Sequence, residues 1–307
     1  METVIETHAL TKKFGDRAAV NGVDLTVGAG VAFGFLGPNG AGKTTMIRTL
    51  LGLTQPTSGD VALLGLPQPA KRSEALARVG AIVEEPRFHP HLTGRENLKI
   101  VAAVRDRAAE GRIAESLERV GLEHRADDRV KTYSLGMRQR LGIARCLLAD
   151  PALLILDEPM NGLDPAGILD MRRLIRSFVE EGRTVFLSSH LLDEVEKTCD
   201  QVAIVDQGVV VLQGAVGEIA AQGEPTLLIE IDDAAAARRV LGADPRVTHV
   251  EEEGASILRL TLGDGLVPAE INRALVSAGV AVSRLEPARA TLEETFLSIT
   301  SRLEAVE

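Results

Sequence analysis

Short apolar runs recur along the chain, each followed by a turn and then by apolar residues at helical spacing. "VAFGFLG" runs into a helix predicted from Lys43, "PALLILD" precedes one near Ala166, and "TVFLSSH" precedes one at Leu191. Runs of this length suit buried strands, and the strand, loop, helix alternation predicts an α/β fold on a mainly parallel sheet. Functional residues are then expected at the carboxyl ends of the strands. The opening "METVIETHALTKKFG" alternates as a strand entering a turn. Between Glu85 and Asp150 the strand pattern stops, and "GRENLKIVAAVRDRAAEGRIAESLERVGLE" carries apolar residues at helical spacing. This predicts a helical subdomain, about residues 86–150, inserted into the sheet domain.

The pattern changes again after Gly214. "GAVGEIAAQGEP" reads as a linker, and the segments from "TLLIEI" to "VAVSRLEP" read as β, α, β, β, α, β, the order of a small α+β, ferredoxin-like domain. The expected division is a first domain over 1–220 and an accessory domain, for dimerisation or regulation, over 221–307. No repeat of solenoid period is found.

Composition narrows the function. The 307 residues are 45% hydrophobic and 25% charged, ordinary for folded protein, and the net charge of -10 disfavours a general grip on nucleic acid. The two cysteines, Cys146 and Cys199, have no Cys or His at zinc-site spacing and read as reduced thiols. No positively charged segment followed by an apolar run opens the chain, and no apolar run reaches the ~18 residues of a membrane span. A cytosolic protein is expected, with any membrane work done through a partner.

The strongest motif is "GPNGAGKTT", residues 37–45, between a predicted strand and helix. Gly37, Pro38, Asn39, Gly40, Ala41 and Gly42 form a loop whose N–H groups can surround phosphate oxygens, Lys43 can reach the outer phosphates, and Thr44, followed by Thr45, offers a hydroxyl to Mg2+. A glycine-rich turn without function fits this spacing and context poorly. In "LLILDEP", Asp157 and Glu158 leave a buried strand, Asp157 placed to approach Mg2+ and Glu158 to polarise water. Adjacent acids can be a helix cap alone, but beside a phosphate loop they indicate nucleotide hydrolysis. A second anion grip, "KTYSLGMRQRLGIAR", puts Ser134 and Gly136 at a loop-to-helix junction with no nucleophile or metal ligands nearby.

With "YSLGMRQR", "NGLDP" and "SSH" in this order, residues 2–220 resemble the nucleotide-binding subunit of ATP-binding cassette (ABC) transporters, whose core is a P-loop NTPase. The resemblance implies ATP and Mg2+ as ligands, a permease in the membrane as partner, and location at the cytoplasmic face of the membrane. It also implies a second cassette paired head to tail, so that Ser134 and Gly136 hold the γ-phosphate of ATP bound by the neighbour's phosphate loop. Phe14 is implied to stack on adenine, Asp164 to cross the dimer, and His190 to touch the γ-phosphate and orient water. Without the resemblance Phe14 would read as core and His190 as structural.

Two departures stand out. The family's usual Leu-Ser-Gly-Gly-Gln is Tyr133, Ser134, Leu135, Gly136, Met137, which loses a glycine's backbone freedom and an amide near the ribose, predicting weaker or less selective closure. Glu84 takes the place of the usual Gln and is read as a metal-sensing carboxylate. Both variants, with the tail "ATLEETFLSIT", resemble bacitracin, lantibiotic and daunorubicin exporters, so export is expected. An ABC ATPase acting on ribosomes or nucleic acid is the alternative, disfavoured by the short stretch from Lys43 to Ser134 and by the single cassette. His89 and His91 lack a third ligand at suitable spacing, and the run Glu251 to Glu253 reads as a solvated strand end.

Overall fold

A tight turn at Gly15, whose φ is 59°, folds β1 (Thr3–Phe14) back on β2 (Arg17–Gly28) as an antiparallel pair. Val23, Leu25 and Val27 of β2 are buried while Asp24 and Thr26 face outward, the two-residue period of a strand with one face on the core. With β3 (Ala32–Leu36), β4 (Ser58–Leu63) and β5 (Leu66–Pro67) following, the first sheet has the order β2-β1-β4-β5. The structure is a computed structural model and describes residues 2–105, 107–221, 226–254, 256–263, 267–288 and 292.

The second sheet holds the predicted parallel strands. It adds β6 (Val79–Ile82), β7 (Leu153–Leu156), β8 (Thr184–Ser189), β9 (Gln201–Asp206) and β10 (Val209–Ala215) to β3, in the order β10-β9-β3-β8-β7-β6. All neighbours are parallel except β10, which pairs antiparallel with β9 at the edge. Every residue of β3, β7 and β8 is buried, so both faces are covered and the strands read as unbroken apolar runs rather than alternating ones. Phe186 stacks on Phe33 at 5.7 Å between ring centroids.

After β3 the chain enters α1 (Lys43–Leu50), and α2 (Arg72–Leu76) precedes β6. Between β6 and β7 lie α3 (Gly94–Arg105), α4 (Arg107–Gly111), α5 (Ile113–Arg119), two short 3-10 turns and α6 (Leu135–Leu147). The one pairing of extended backbone among the described residues there is an isolated bridge between Thr93 and Arg129. Helix α6 lies close on β6: a Cβ at Gly80 would stand 2.7 Å from Cys146 Cβ. Burial pushes the Cys146 thiol up to about 11, and it raises that of Cys199 also, so neither is a ready nucleophile. α7 (Pro165–Glu180) and α8 (Leu192–Thr198) complete this region.

The chain divides into two compact units, Met1–Ala215 and Val216–Glu307. The second runs α9 (Val216–Ala221), β11 (Thr226–Ile231), α10 (Ala234–Leu241), β12 (Val247–Glu252), β13 (Ile257–Leu262), α11 (Pro268–Ser277) and β14 (Val282–Ala288). Its strands form an antiparallel sheet of order β12-β13-β11-β14. Leu227, Ile229, Leu258, Leu260, Ile271 and Leu275 belong to its own core. The tail "ATLEETFLSIT" lies outside the described residues apart from Leu292. Among the described residues no helix is long and apolar enough to cross a membrane.

Candidate functional site

Four neighbouring strands, β3, β8, β7 and β6, deliver the candidate residues from their carboxyl ends. Leu36 is in register with Ser189, and Leu156 with both Leu187 and Ile82, so these ends lie level. The glycine-rich loop Gly37–Gly42 leaves β3, His190 leaves β8, Asp157 and Glu158 leave β7, and Glu84 leaves β6. The loop is tied down from β2: Gly42 has φ 104°, and a Cβ there would fall 2.0 Å from the Ala19 carbonyl oxygen. Only glycine fits that conformation and that approach. Helix bonding begins with Met46 N–H donating to Gly42 O (2.8 Å), which leaves the first-turn N–H groups of Lys43, Thr44 and Thr45 for another acceptor.

Glu158 joins the site. Its Oε1 is 3.2 Å from Lys43 Nζ and its Oε2 is 2.8 Å from His190 Nδ1. Lys43, only 6% exposed, also donates to the carbonyls of Gly37 (2.7 Å) and Pro38 (3.2 Å). Glu158 takes φ 48°, a conformation that costs a non-glycine residue about 1–3 kcal/mol. Ser188, fully buried on β8, holds the turn: Glu158 N–H donates to its Oγ (2.9 Å), and its hydroxyl donates to Asp157 Oδ1 (2.6 Å).

Two clefts flank this cluster. One, of about 490 Å3, is lined by Phe14, Arg17, Gly40, Lys43, Thr44 and Glu158 among others. Phe14 is 56% exposed at the end of β1, which rules out the core reading, and Lys12 Nζ stands 5.0 Å from its ring centroid. Arg17 donates to Gly40 O (3.1 Å). The other cleft, about 400 Å3, is lined by Thr44, Glu84, Asp157, Glu158, Leu135 and Gln139 among others. Glu84, at φ 61°, pairs with Arg48 of α1 (2.5 Å). Its neighbour Glu85 lies 3.5 Å from Arg138 of α6. No three His, Cys, Asp or Glu among the described residues are grouped to ligate a metal directly, His89 and His91 included.

Ser134, Gly136 and Asp164 line neither cleft. Ser134 caps α6, its exposed Oγ accepting from Met137 N–H (3.2 Å), and Asp164 caps α7, accepting from Gly167 N–H (2.9 Å). A Cβ at Gly136 would meet only Leu163 Cδ2 at 3.6 Å, an ordinary contact, so nothing described within this chain demands glycine there. Leu135 is the first residue of α6, with no positive φ, and the backbone freedom expected of a glycine at this position is not used. Its side chain lies over Gly162, where a Cβ would be 2.9 Å away. Tyr133 is buried, its hydroxyl donates to Arg125 O (2.6 Å), and its carbonyl accepts from Arg138 (2.7 Å). Burial, aided by Asp128, pushes its phenol up.

The sequence reading missed Ser188, Arg48, Arg138 and Gln139. Ser188 lay inside the quoted "TVFLSSH" and carried a signal, a polar residue in an apolar strand. Arg48 and Arg138 are helix residues whose ion-pair partners come from a distant segment, and Gln139 is buried on α6 with no local pattern to mark it.

Comparison with known proteins agrees with this geometry. A family model described as ABC transporter matches residues 20–161. A bacitracin transport ATP-binding protein of Bacillus licheniformis is 40% identical over 300 residues, 97% of this chain and 98% of the relative. A Nod factor export ATP-binding protein of Rhizobium meliloti is 34% identical over 310 residues, 97% of this chain and 88% of the relative. Among solved structures, a dimeric bacterial ABC transporter cassette matches with a TM-score of 0.62 at 25% identity, over 69% of this chain and 98% of that one. Identity sustained over nearly the whole of both chains assigns the family: this protein belongs to the ATP-binding proteins of ABC transporters.

Proposed function

We propose that this chain is the ATP-binding and ATP-hydrolysing subunit of a bacterial exporter, docked on a separate permease at the cytoplasmic face of the membrane. The carrying observation is the meeting of Lys43, Glu158 and His190 beside Asp157 at the ends of adjacent parallel strands. The relatives named for bacitracin transport and Nod factor export support export of a drug, antimicrobial peptide or lipid-like cargo.

Gly37 to Gly42 and the first turn of α1 would surround the phosphates of ATP, Lys43 would move from Glu158 to a phosphate oxygen, and Phe14 would lie on adenine. Mg2+, when bound, neutralises charge on the phosphates. Thr44, Asp157 and Glu84 line one cleft and would hold it, and the lack of three direct ligands among the described residues fits an ion that keeps water and phosphate in its shell. Glu158, released by Lys43, would accept a proton from the attacking water, with His190 orienting the carboxylate through their 2.8 Å contact.

Ser134 and Gly136 would meet ATP held by a second copy paired head to tail, and Asp164 would cross the same interface. The exposed cap and the undemanded glycine support this. We take 1–220 as the cassette, about 86–150 as its helical subdomain and 221–307 as an accessory domain. Its β-α-β-β-α-β order with strand order β12-β13-β11-β14 supports a ferredoxin-like module. The test is Glu158→Gln in the full chain, which should bind ATP and accumulate as a dimer while turnover falls roughly 100-fold or more. A monomer that still hydrolyses ATP normally would remove the composite site.

A further inference from the structure

Gln139 is a buried polar side chain to which the nucleotide reading gives no role. It sits on the second turn of α6 and is 5% exposed. Among the described residues its amide has no hydrogen-bond partner. Among the described residues the partnerless side-chain atoms that are wholly covered belong to Gln68 and Arg172, so the small surface Gln139 retains includes its amide. That surface opens on the cleft lined by Thr44, Glu84, Asp157 and Glu158.

With no partner inside the fold among the described residues and only this narrow opening, the amide can be satisfied only by a group that enters the cleft. The surroundings say which kind. Glu84, Glu85, Asp157 and Glu158 line the cleft, so a cation is favoured, yet no three of them are grouped as direct ligands. A divalent ion bound there would keep water in its shell. The amide oxygen of Gln139 can accept from such a water, and its N–H groups can donate to a carboxylate, without adding charge to a cleft already rich in it.

We propose that Gln139 is a further binding residue of this site, its amide hydrogen-bonded to the water shell of the divalent cation that accompanies the nucleotide. This rests on the reading of the cleft as a metal–nucleotide site.

The test uses the full-length chain with Gln139→Leu and, as a second variant, Gln139→Met, which remove donor and acceptor while keeping bulk. Mn2+ is the probe, its free concentration read by electron paramagnetic resonance at saturating ADP. Both variants should lose Mn2+ affinity by roughly tenfold. Their ADP affinity in EDTA should be unchanged, and their Tm without ligand should equal or exceed that of the parent, since no internal hydrogen bond is lost. Unchanged Mn2+ affinity overturns the proposal. So does a large fall in Tm in both variants, which would mean that the amide already has a partner inside the fold. Asp157→Asn separates the two levels: if it weakens Mn2+ and the Gln139 variants do not, this inference alone fails. If neither position matters, the metal–nucleotide reading fails with it.

Discussion

Glu158 is where the charges of this site meet, and its two oxygens are shared between a lysine and a histidine. Replacing Lys43 by Ala removes a charge-assisted donor of the kind worth about 1.5–3 kcal/mol, so ATP affinity should fall roughly tenfold or more by titration calorimetry. Normal binding by that variant would sink the phosphate role of Lys43. Ser188 carries a different prediction, because it touches both acids from beneath. Ser188→Ala leaves the Glu158 N–H and one Asp157 oxygen without their partner and should lower stability by about 1–3 kcal/mol in urea unfolding. Turnover should drop with it while ATP binding persists, since Ser188 positions the acids and lies outside the phosphate loop.

At the scale of elements, the site depends on how closely strands and helices approach. Gly42 joins β3 to α1 at a point where β2 leaves no room for a side chain. Gly42→Ala must both strain the backbone, by about 1–3 kcal/mol, and push β2 from α1. Loss of nucleotide binding in a protein whose far-UV circular dichroism is preserved is the expected result, and full retention of binding would show that the loop tolerates displacement. The Glu84 and Glu85 pair links two helices, Arg48 of α1 on one side and Arg138 of α6 on the other. The Glu84–Arg48 pair is solvent-exposed, where such pairs contribute little to stability. Glu84→Ala should therefore leave Tm nearly unchanged and reduce ATPase activity. An equal loss of stability and activity would argue for a purely structural Glu84.

Across the whole molecule, each unit packs a core of its own. Leu10, Phe33, Met46, Ile155 and Phe186 pack within the first unit, while Ile229, Leu241, Leu258 and Ile271 pack within the second. Since each unit buries its own apolar residues, calorimetry of the full chain should resolve two unfolding transitions, and only the one belonging to residues 1–215 should move up with ATP or ADP. A single transition shifted as a whole by nucleotide would show that the units unfold together.

How much of this was legible in the sequence follows from what kind of contact makes each feature. Gly37 to Thr45, Asp157, Glu158 and His190 lie directly after strands that announce themselves as buried apolar runs, so their place at one edge of a parallel sheet could be read from local order. The first sheet could not: β4 and β5 are short, partly exposed, and defined only by pairing with β1 and with each other. Nor could the role of Leu135, which looked like a lost glycine and proved to be an ordinary first residue of a helix resting on Gly162. The sequence by itself determined the buried apolar strands β3, β7 and β8, the glycine-rich loop after β3 and the acids after β7, because periodicity and spacing act over neighbouring residues. Tertiary structure alone decided that Ser188 holds both acids, that Arg48 takes Glu84, and that Gln139 is buried without a partner among the described residues, because each depends on segments that meet only when the sheet is assembled.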